Sequence, residues 1–253
     1  MATAAKTAVP GGPVRYAAAA AAVLGVLLTG CAAASGGDDA PARHHGTQER
    51  AGHGASADPE DLPGVGDRFR SRIPERTGQV VLVRGRGPDA AASRVELWNR
   101  NDGGTWHLDE RWSGHNGRGG WTEDHHEGDK RSPAGVFTLT DAGGVRAAPD
   151  GTRLPYIQSP AFTPPAYWDD RTEHDFDHVI AIDYNRVPGT SPLDPTRPRG
   201  QDKGGFIWLH VDNGTGTSGC VSVPDDAMEH LLSTLDPDRH PVIVMGDRGT
   251  LRG

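Results

Sequence analysis

The chain has 253 residues, with 26 Lys and Arg against 34 Asp and Glu, so its formal net charge at pH 7 is -8. This acidic excess, without a basic cluster, argues against nucleic acid or an anionic membrane surface as a partner. The 35 glycines and 20 prolines indicate many turns and few helices, and the two cysteines are Cys31 and Cys220.

The first 30 residues have the features of an export signal. Two positive charges, Lys6 and Arg15, precede an uncharged run over residues 16–30, "YAAAAAAVLGVLLTG". This run is shorter than the ~20 apolar residues that a membrane-spanning helix needs, so we predict a cleaved leader. The sequence "LTGC" at 28–31 resembles the lipobox of bacterial lipoproteins, which implies lipidation of Cys31 and cleavage before it. The alternative is an ordinary secretory signal that happens to contain a cysteine.

Residues 31–60 are predicted to form a flexible tether. They hold almost no large apolar side chains, so they cannot bury enough surface to offset the entropy of ordering. Residues 61–253 have the length of one domain, whose core we expect at about 75–246.

Short β-type runs alternate with turn signals through this domain. One helix is predicted after Pro224, because four apolar residues recur there at i, i+3, i+4 and i+7 and form a single stripe. They are Met228, Leu231, Leu232 and Leu235. The predicted fold class is therefore mainly β with at least one packed helix. The predicted strands are 79–84, 94–100, 106–112, 135–140, 178–184, 206–211, 220–223 and 241–246.

Two of these strands bring a histidine and a cysteine close together in sequence. "FIWLH" ends in His210, "VDNGTGTSG" must reverse the chain, and "CVSV" begins with Cys220. If the strands are antiparallel neighbours, facing β-carbons lie about 5 Å apart. An adjacent imidazolium would then lower the thiol pKa and activate Cys220 as a nucleophile. Gly219 permits a tight turn whose N–H groups point at a developing oxyanion.

The compartment favours a catalytic role for this pair over a structural one. A histidine at the end of an apolar strand is more often structural, but exported cysteines are usually paired in disulfides. If Cys31 carries lipid, Cys220 has no partner within the chain, which suggests a reactive thiol. Whether Asp212 orients His210 is left open.

Two segments resemble the L,D-transpeptidase (YkuD-type) family. "FIWLHVDNGTGTSGCVSVP" resembles its catalytic motif, in which a histidine precedes a Ser/Thr-His-Gly-Cys signature. "GDKRSPAGVFTLTDAGG", at 128–144, is similar to the family's Gly-x-Lys-x-[Thr/Ser]-Pro-x-Gly-x-Phe segment, and "IAIDYN" at 180–185 is typical of one bacterial branch. The histidine of the signature is replaced by Ser218, and the spacing from His210 to Cys220 is shorter than usual. Both departures indicate a divergent branch.

The resemblance implies a YkuD-like β-sandwich or mixed sheet with short packed helices, and a cell-wall L,D-transpeptidase activity. Cys220 would attack the carbonyl of the third residue of a peptidoglycan tetrapeptide stem, while His210 accepts and later donates the proton. The amides of Gly219 and Cys220 would hold the oxyanion, with Ser218 in the same catalytic set. D-Alanine would leave, and the thioester would pass to an amine to form a 3→3 cross-link. This chemistry needs no metal or other cofactor.

The expected partners are peptidoglycan stem peptides and, through lipidated Cys31, the cell membrane facing the cell wall; we expect a monomer. Four residues are candidates for substrate contact: Thr217, Lys130, Tyr167 and Trp168. The last two belong to "YWDDRTEHDFDH" (167–178), which is either a wall of the cleft or a solvated loop.

Three alternatives remain open on the sequence. Water as the acyl acceptor would make the enzyme an L,D-carboxypeptidase. Ser218 in place of the signature histidine is compatible with a non-catalytic peptidoglycan-binding lipoprotein. A metallo-hydrolase using His125, His126 and His210 is the weakest alternative, because no zinc-binding spacing accompanies these residues.

Overall fold

A computed structural model of the protein describes residues 62–253. The predictions for residues 1–30 and 31–60, Cys31 included, lie outside the described residues. Within them the twelve strands are β1 (Gln79–Gly85), β2 (Ala92–Arg100), β3 (Trp106–His115), β4 (Trp121–Thr122), β5 (Ser132–Pro133), β6 (Gly135–Thr138), β7 (Ala142–Gly144), β8 (Tyr156–Gln158), β9 (Val179–Ala181), β10 (Trp208–Val211), β11 (Val221–Val223) and β12 (Val242–Asp247). The α-helices are α1 (Asp67–Arg70), α2 (Asp225–Thr234) and α3 (Arg248–Arg252).

Ten of these strands form one large mixed sheet. Their spatial order is β6-β12-β1-β2-β3-β11-β10-β9-β7-β8, while β4 and β5 pair separately. Four short 3-10 helices lie in the connections: Pro160–Phe162, Asp170–Thr172, Gln201–Lys203 and Pro237–Arg239. The prediction of a mainly β fold with a mixed sheet and short packed helices is confirmed.

Helix α2 packs on the sheet through the apolar stripe predicted from the sequence. Met228, Leu231, Leu232 and Leu235 are fully buried in the main core. Asp225 and Asp226 lie in the first turn, where carboxylates interact favourably with the positive end of the helix dipole. Full burial of each leucine contributes roughly 1.5–3 kcal/mol, which holds this ten-residue helix in place.

The strands at both ends of the described chain are buried on two faces. In β1, Val81 and Val83 face the main core, whereas Val80 and Leu82 face a second apolar cluster. Two helices that the sequence analysis did not predict, α1 and α3, contribute Phe69 and Leu251 to that second cluster. In residues 62–253 no helix is both long and apolar enough to cross a bilayer.

The pairing of β10 with β11 differs from the prediction. The two strands are parallel, with Leu209 opposite Val221 and His210 opposite Ser222. The expectation of antiparallel neighbours was wrong because residues 212–219 do not form a hairpin. They leave the sheet, bridge to Gly117 through Thr217, and run back to the end of the sheet at which β10 begins.

Alternation along β10 decides which side chains reach the functional surface. Leu209 and Val211 point into the main core, so Trp208 and His210 point to the opposite face. Trp208 packs there in a third apolar cluster, against which Cys220 also lies. The parallel register therefore places Cys220 and His210 on one face of the sheet, two residues apart along the strand direction.

Candidate active site

Cys220 and His210 line one cleft of about 1050 Å³. The predicted residues Thr217, Ser218 and Gly219 line it as well. Its aromatic wall is formed by Trp168, Phe176, Phe206 and Trp208. The cleft therefore combines a thiol and an imidazole with a large apolar surface. Ligand sites are generally lined in this way, by apolar and aromatic side chains with a few polar groups.

The thiol of Cys220 lies between two backbone groups of the segment that leads into β10. The amide of Trp208 donates to Sγ at 3.4 Å, and Sγ donates to the carbonyl oxygen of Phe206 at 3.4 Å. Burial raises the pKa of the Cys220 thiol to about 11, although the Trp208 amide acts in the opposite direction. Cys220 nevertheless remains partly exposed in the cleft.

The imidazole of His210 is buried, with 4% of its surface exposed, and its tautomer follows from its hydrogen bond. Nδ1 lies 2.8 Å from the carbonyl oxygen of Val211, which only accepts, so Nδ1 carries the proton and Nε2 is left as an acceptor. Burial lowers the pKa of His210 to about 4. Phe176 packs edge-on against the ring at 5.3 Å between centroids.

At neutral pH this pair consists of a neutral thiol and a neutral imidazole. The prediction that an imidazolium lowers the thiol pKa is wrong for the free protein, because burial disfavours both the imidazolium and the thiolate. Neighbouring strands lie about 4.8 Å apart, so an offset of two residues separates the two Cα atoms by about 8 Å. The geometry favours proton transfer during attack over a preformed ion pair.

The loop before Cys220 is fixed by a small hydrogen-bond network. The hydroxyl of Thr217 donates to the Cys220 carbonyl oxygen at 2.7 Å and accepts from the Gly219 amide at 3.1 Å. The prediction that the Gly219 amide points at an oxyanion is therefore wrong, because that N–H is already donated within the loop. Gly219 is still required sterically: its φ is +148°, and an added Cβ would lie 3.2 Å from Ile207.

Ser132, in the upstream motif, anchors the same loop and was missed as a site residue. Its buried hydroxyl lies 2.7 Å from the Gly219 carbonyl oxygen and 3.0 Å from that of Cys220. It also accepts from the Gly117 amide at 2.9 Å. The position of Ser132 within "RSPAG" was the available signal, since two motifs of one site must meet in space.

The predicted substrate-contact residues divide into two groups. Thr217 and Trp168 line the cleft, and Trp168 is 43% exposed. Tyr167 is 85% exposed and does not line it. Lys130 is also exposed and outside the lining, with a positive φ of 60° in the loop before β5. Of Tyr167 and Trp168, only Trp168 therefore forms part of the cleft wall that was predicted for residues 167–178.

Ser218 and Arg118 lie at the exposed rim of the cleft. The guanidinium of Arg118 donates to the Thr217 carbonyl oxygen at 3.3 Å and to Ser218 Oγ at 3.4 Å. Ser218 is exposed, so it does not reproduce a buried imidazole beside the thiol.

Asp175 is a buried cleft carboxylate that the sequence analysis did not single out. It is 7% exposed, and the side-chain amide of Asn213 donates to both of its oxygens, at 3.0 and 3.1 Å. Burial raises the pKa of Asp175 to about 6. The negative charge of Asp175 in turn helps to raise the pKa of Cys220.

Asp212 does not hydrogen-bond to His210. Its Oδ1 lies 2.8 Å from Nδ1 of His115 and accepts from the Ser222 hydroxyl at 2.5 Å. The group that orients the His210 ring is therefore the backbone carbonyl of Val211, and Asp212 does not take that role.

The three histidines of the metallo-hydrolase alternative do not form a ligand cluster in the part of the chain that is described. His125 and His210 line the cleft, whereas His126 is exposed and contacts Asp124 and Lys203. A different group, His178, Asp225 and Glu229, has ligand atoms within 4.8 Å of one another. Arg146 forms ion pairs with the carboxylates of Asp225 and Glu229, at 3.3 and 4.0 Å, so their negative charge is already balanced by a guanidinium.

Comparisons with known proteins identify one family. The model of the YkuD family, the L,D-transpeptidase catalytic domain, matches residues 89–244. No curated protein sequence matches significantly. Among solved structures, the helical cell shape determining protein Pgp2 from Campylobacter jejuni is similar, with 16% identity and a TM-score of 0.38. The match covers 72% of this chain and 54% of that one, so this chain spans about half the length of that protein.

Proposed function

The chain belongs to the YkuD family of L,D-transpeptidase catalytic domains, and we propose from this that it is a cell-wall L,D-transpeptidase with Cys220 as its nucleophile. The observation that carries the proposal is the convergence of Cys220 and His210 in one cleft. Ser132 supports it, because a residue of the upstream family motif holds the backbone of the cysteine.

In the proposed acylation step, Nε2 of His210 takes the thiol proton as Sγ attacks the carbonyl of the third stem residue. A neutral imidazole is competent for this role, and the low pKa of His210 keeps it neutral from about pH 5 upward. The C–S bond forms, the bond to terminal D-alanine breaks, and the proton moves to the leaving amine. The amide of Cys220 is the proposed oxyanion donor, since that of Gly219 is donated to Thr217.

The second half of the proposed reaction consumes the thioester. Attack by an amine of a neighbouring stem gives a 3→3 cross-link, and attack by water gives an L,D-carboxypeptidase. The aromatic wall of Trp168, Phe176 and Phe206 supports a cleft that excludes water around the thioester. We favour the amine on this ground.

The second candidate is a non-catalytic peptidoglycan-binding lipoprotein. It is favoured by the exposed Ser218 at the position of the signature histidine and by the raised pKa of the Cys220 thiol. This candidate would keep the cleft and its ligand without turnover.

Covalent labelling separates the two candidates. We expect the purified chain to gain the mass of a carbapenem, because that reagent acylates an activated thiol nucleophile. Cys220→Ala is expected to gain no mass, and His210→Asn to react about 10²–10⁴ times more slowly. The measurement is intact mass against time. An unmodified wild-type chain whose thiol also resists alkylation would favour the binding protein.

We also propose that the protein is exported and lipid-anchored through Cys31, with its catalytic domain facing the cell wall. The support for this is the leader over residues 16–30 and the lipobox-like "LTGC". Proposed partners are peptidoglycan stem peptides, with the chain acting as a monomer and without a cofactor.

A further inference from the structure

A second imidazole, that of His125, lines the cleft and has no role in the acylation step described above. It lies in the loop between β4 and β5 and is only 4% exposed. Tyr184 packs edge-on against its ring at 5.4 Å, and the Tyr184 hydroxyl donates to the His125 carbonyl oxygen at 3.3 Å. These contacts hold the ring in one place in the wall of the cleft.

A carboxylate stands behind this imidazole. Oδ1 of Asp129 lies 2.9 Å from Nδ1 of His125, although its approach is oblique to the ring N–H. Asp129 is itself fixed, because its carboxylate accepts from the backbone amides of His126 at 2.9 Å and Arg131 at 2.8 Å. A fixed carboxylate this close to one ring nitrogen stabilises, through its charge, the imidazolium that forms when the other nitrogen takes a proton.

The opposite edge of the ring lies near Gly204, with the carboxylate of Glu127 also close, and Cε1 lies toward Gly219. A Cβ added to Gly204 would lie 2.9 Å from Nε2, and one added to Gly219 would lie 3.5 Å from Cε1. Of the two ring nitrogens, Nδ1 is the one that is completely buried without a hydrogen bond. A side chain at Gly204 would therefore press on Nε2, and the glycine keeps that space free beside an imidazole that lines the cleft.

The two imidazoles lie on different sides of the nucleophile. His125 packs at the level of Ile207 and Gly219, whereas His210 lies further along β10, beyond Trp208. Cys220 is level with Trp208, whose amide contacts its sulfur. A thioester on Cys220 would thus have one imidazole toward each end of the cleft.

We propose that His125 is the general base for the acceptor amine, with Asp129 as its positioning residue, while His210 serves the donor half-reaction. This inference rests on the proposed transpeptidase function and adds a second catalytic group to it. The neutral acceptor amine attacks the thioester carbonyl, a C–N bond forms, and the C–S bond breaks. One amine proton passes to Nε2 of His125 and then to water, and the Cys220 thiolate regains a proton from water.

The test separates the two half-reactions in the full chain. Tetrapeptide stems with lysine or diaminopimelate at the third position first acylate the protein, and an amine acceptor, glycinamide, is then added. Intact mass follows the appearance and the loss of the acyl-enzyme. The variants are His125→Gln and Asp129→Asn, with His126→Gln as the matched control because that neighbouring side chain is exposed and outside the cleft lining.

We expect His125→Gln to acylate within about three-fold of the wild-type rate but to lose its acyl group to the amine about 100-fold more slowly. Asp129→Asn keeps the imidazole and should slow the amine step about ten-fold. It therefore remains informative if His125→Gln does not fold. His126→Gln should match the wild type in both steps.

Several outcomes would overturn this inference. Normal loss of the acyl group to the amine in both cleft variants would do so while leaving the proposed function intact. Equal slowing of acylation and of the amine step would remove the assignment of His125 to the acceptor half. A wild-type chain that both stems fail to acylate would refute the proposed function, and this inference with it.

Discussion

At the scale of single residues, burial determines the protonation states of the side chains in the cleft. His210 and Cys220 are both neutral at pH 7, since burial lowers the pKa of the first to about 4 and raises that of the second to about 11. Asp175 adds a carboxylate to the same cleft, where its charge opposes formation of the thiolate. Because a neutral thiol is a weak nucleophile, the proposed attack by Cys220 requires proton transfer to His210 when substrate is bound.

Replacing Asp175 with asparagine tests this electrostatic effect. The change removes a negative charge, keeps an acceptor for Asn213, and should lower the pKa of the Cys220 thiol. We expect Asp175→Asn to react with a disulfide reagent roughly two to five times faster at pH 8. Because the pKa of Asp175 is about 6, its carboxyl becomes neutral below that pH in the wild type, so the two rates should converge by pH 5.

The matched control is Asp169→Asn, which removes the same charge from another lining carboxylate. Asp169 pairs with Arg171 and is not among the groups that shift the pKa of Cys220. In the Asp169→Asn variant, the Cys220 thiol should react at the wild-type rate at both pH 8 and pH 5. Equal acceleration in the two variants would show a general charge effect of the cleft and contradict a specific role for Asp175.

At the scale of structural elements, Cys220 is positioned by contacts from several parts of the chain. Strand β11 pairs with β10 on one side and with β3 on the other, and Ser132 in β5 holds the loop that precedes it. The loop's turn at Thr217 is tied to Asn116, whose carbonyl accepts the Thr217 amide at 2.9 Å. Cys220 is therefore fixed by contacts from several elements, of which only β10 is its neighbour in chain order.

Ser132→Ala should weaken this arrangement measurably. The variant leaves the Gly219 carbonyl oxygen and the Gly117 amide without the serine hydroxyl in a buried place, a loss that costs about 1–3 kcal/mol. We expect that decrease in the free energy of unfolding in urea, together with slower acylation by a carbapenem. The control is Ser113→Ala on an exposed position of β3, for which both values should stay at the wild-type level. An unchanged stability of Ser132→Ala would contradict the anchoring role.

At the scale of the whole molecule, the described fold extends beyond the family match at both ends. Residues 62–88 and 245–253 lie outside the match at 89–244, yet they supply β1, α1 and α3. Phe69 and Leu251 cover the outer face of β1 and β12, and the Gly66 amide donates to the Leu251 carbonyl oxygen at 2.8 Å. The described fold thus includes residues on both sides of the family match, and the predicted leader and tether at 1–60 precede it in the sequence.

This division predicts that anchoring and catalysis are separable. Cys31→Ser in the full chain, expressed in a bacterium with a lipoprotein pathway, should move the protein from the membrane fraction to the soluble fraction. Its Cys220 thiol should acylate at the wild-type rate, because residue 31 lies in the predicted tether, outside the family match at 89–244. Fractionation with immunodetection and intact mass measure the two properties. A Cys31→Ser protein that remains fully membrane-bound would refute lipidation as the anchor.

Local patterns were sufficient for some features of this protein. The spacing of Met228, Leu231 and Leu232 predicted α2 and its buried face, because a helix repeats every 3.6 residues whatever it packs on. The eight predicted strands are all present, with β-type runs between turn residues as their signal. The motifs around Cys220 and at 128–144 together predicted the family, because each is a short contiguous segment of the sequence.

Contacts between distant residues could be obtained only from the tertiary structure. The places of Asp175 and His125 in the cleft of Cys220 each join segments far apart in sequence. The parallel pairing of β10 and β11 depends on the path of the loop between them, which local patterns do not specify. The directions of the pKa shifts also depend on burial, which is a property of the packed chain. The sequence by itself determined the chemical groups, the periodic elements and the family. Packing decided which of those groups meet and which protons they carry, because distance and desolvation are set by the fold.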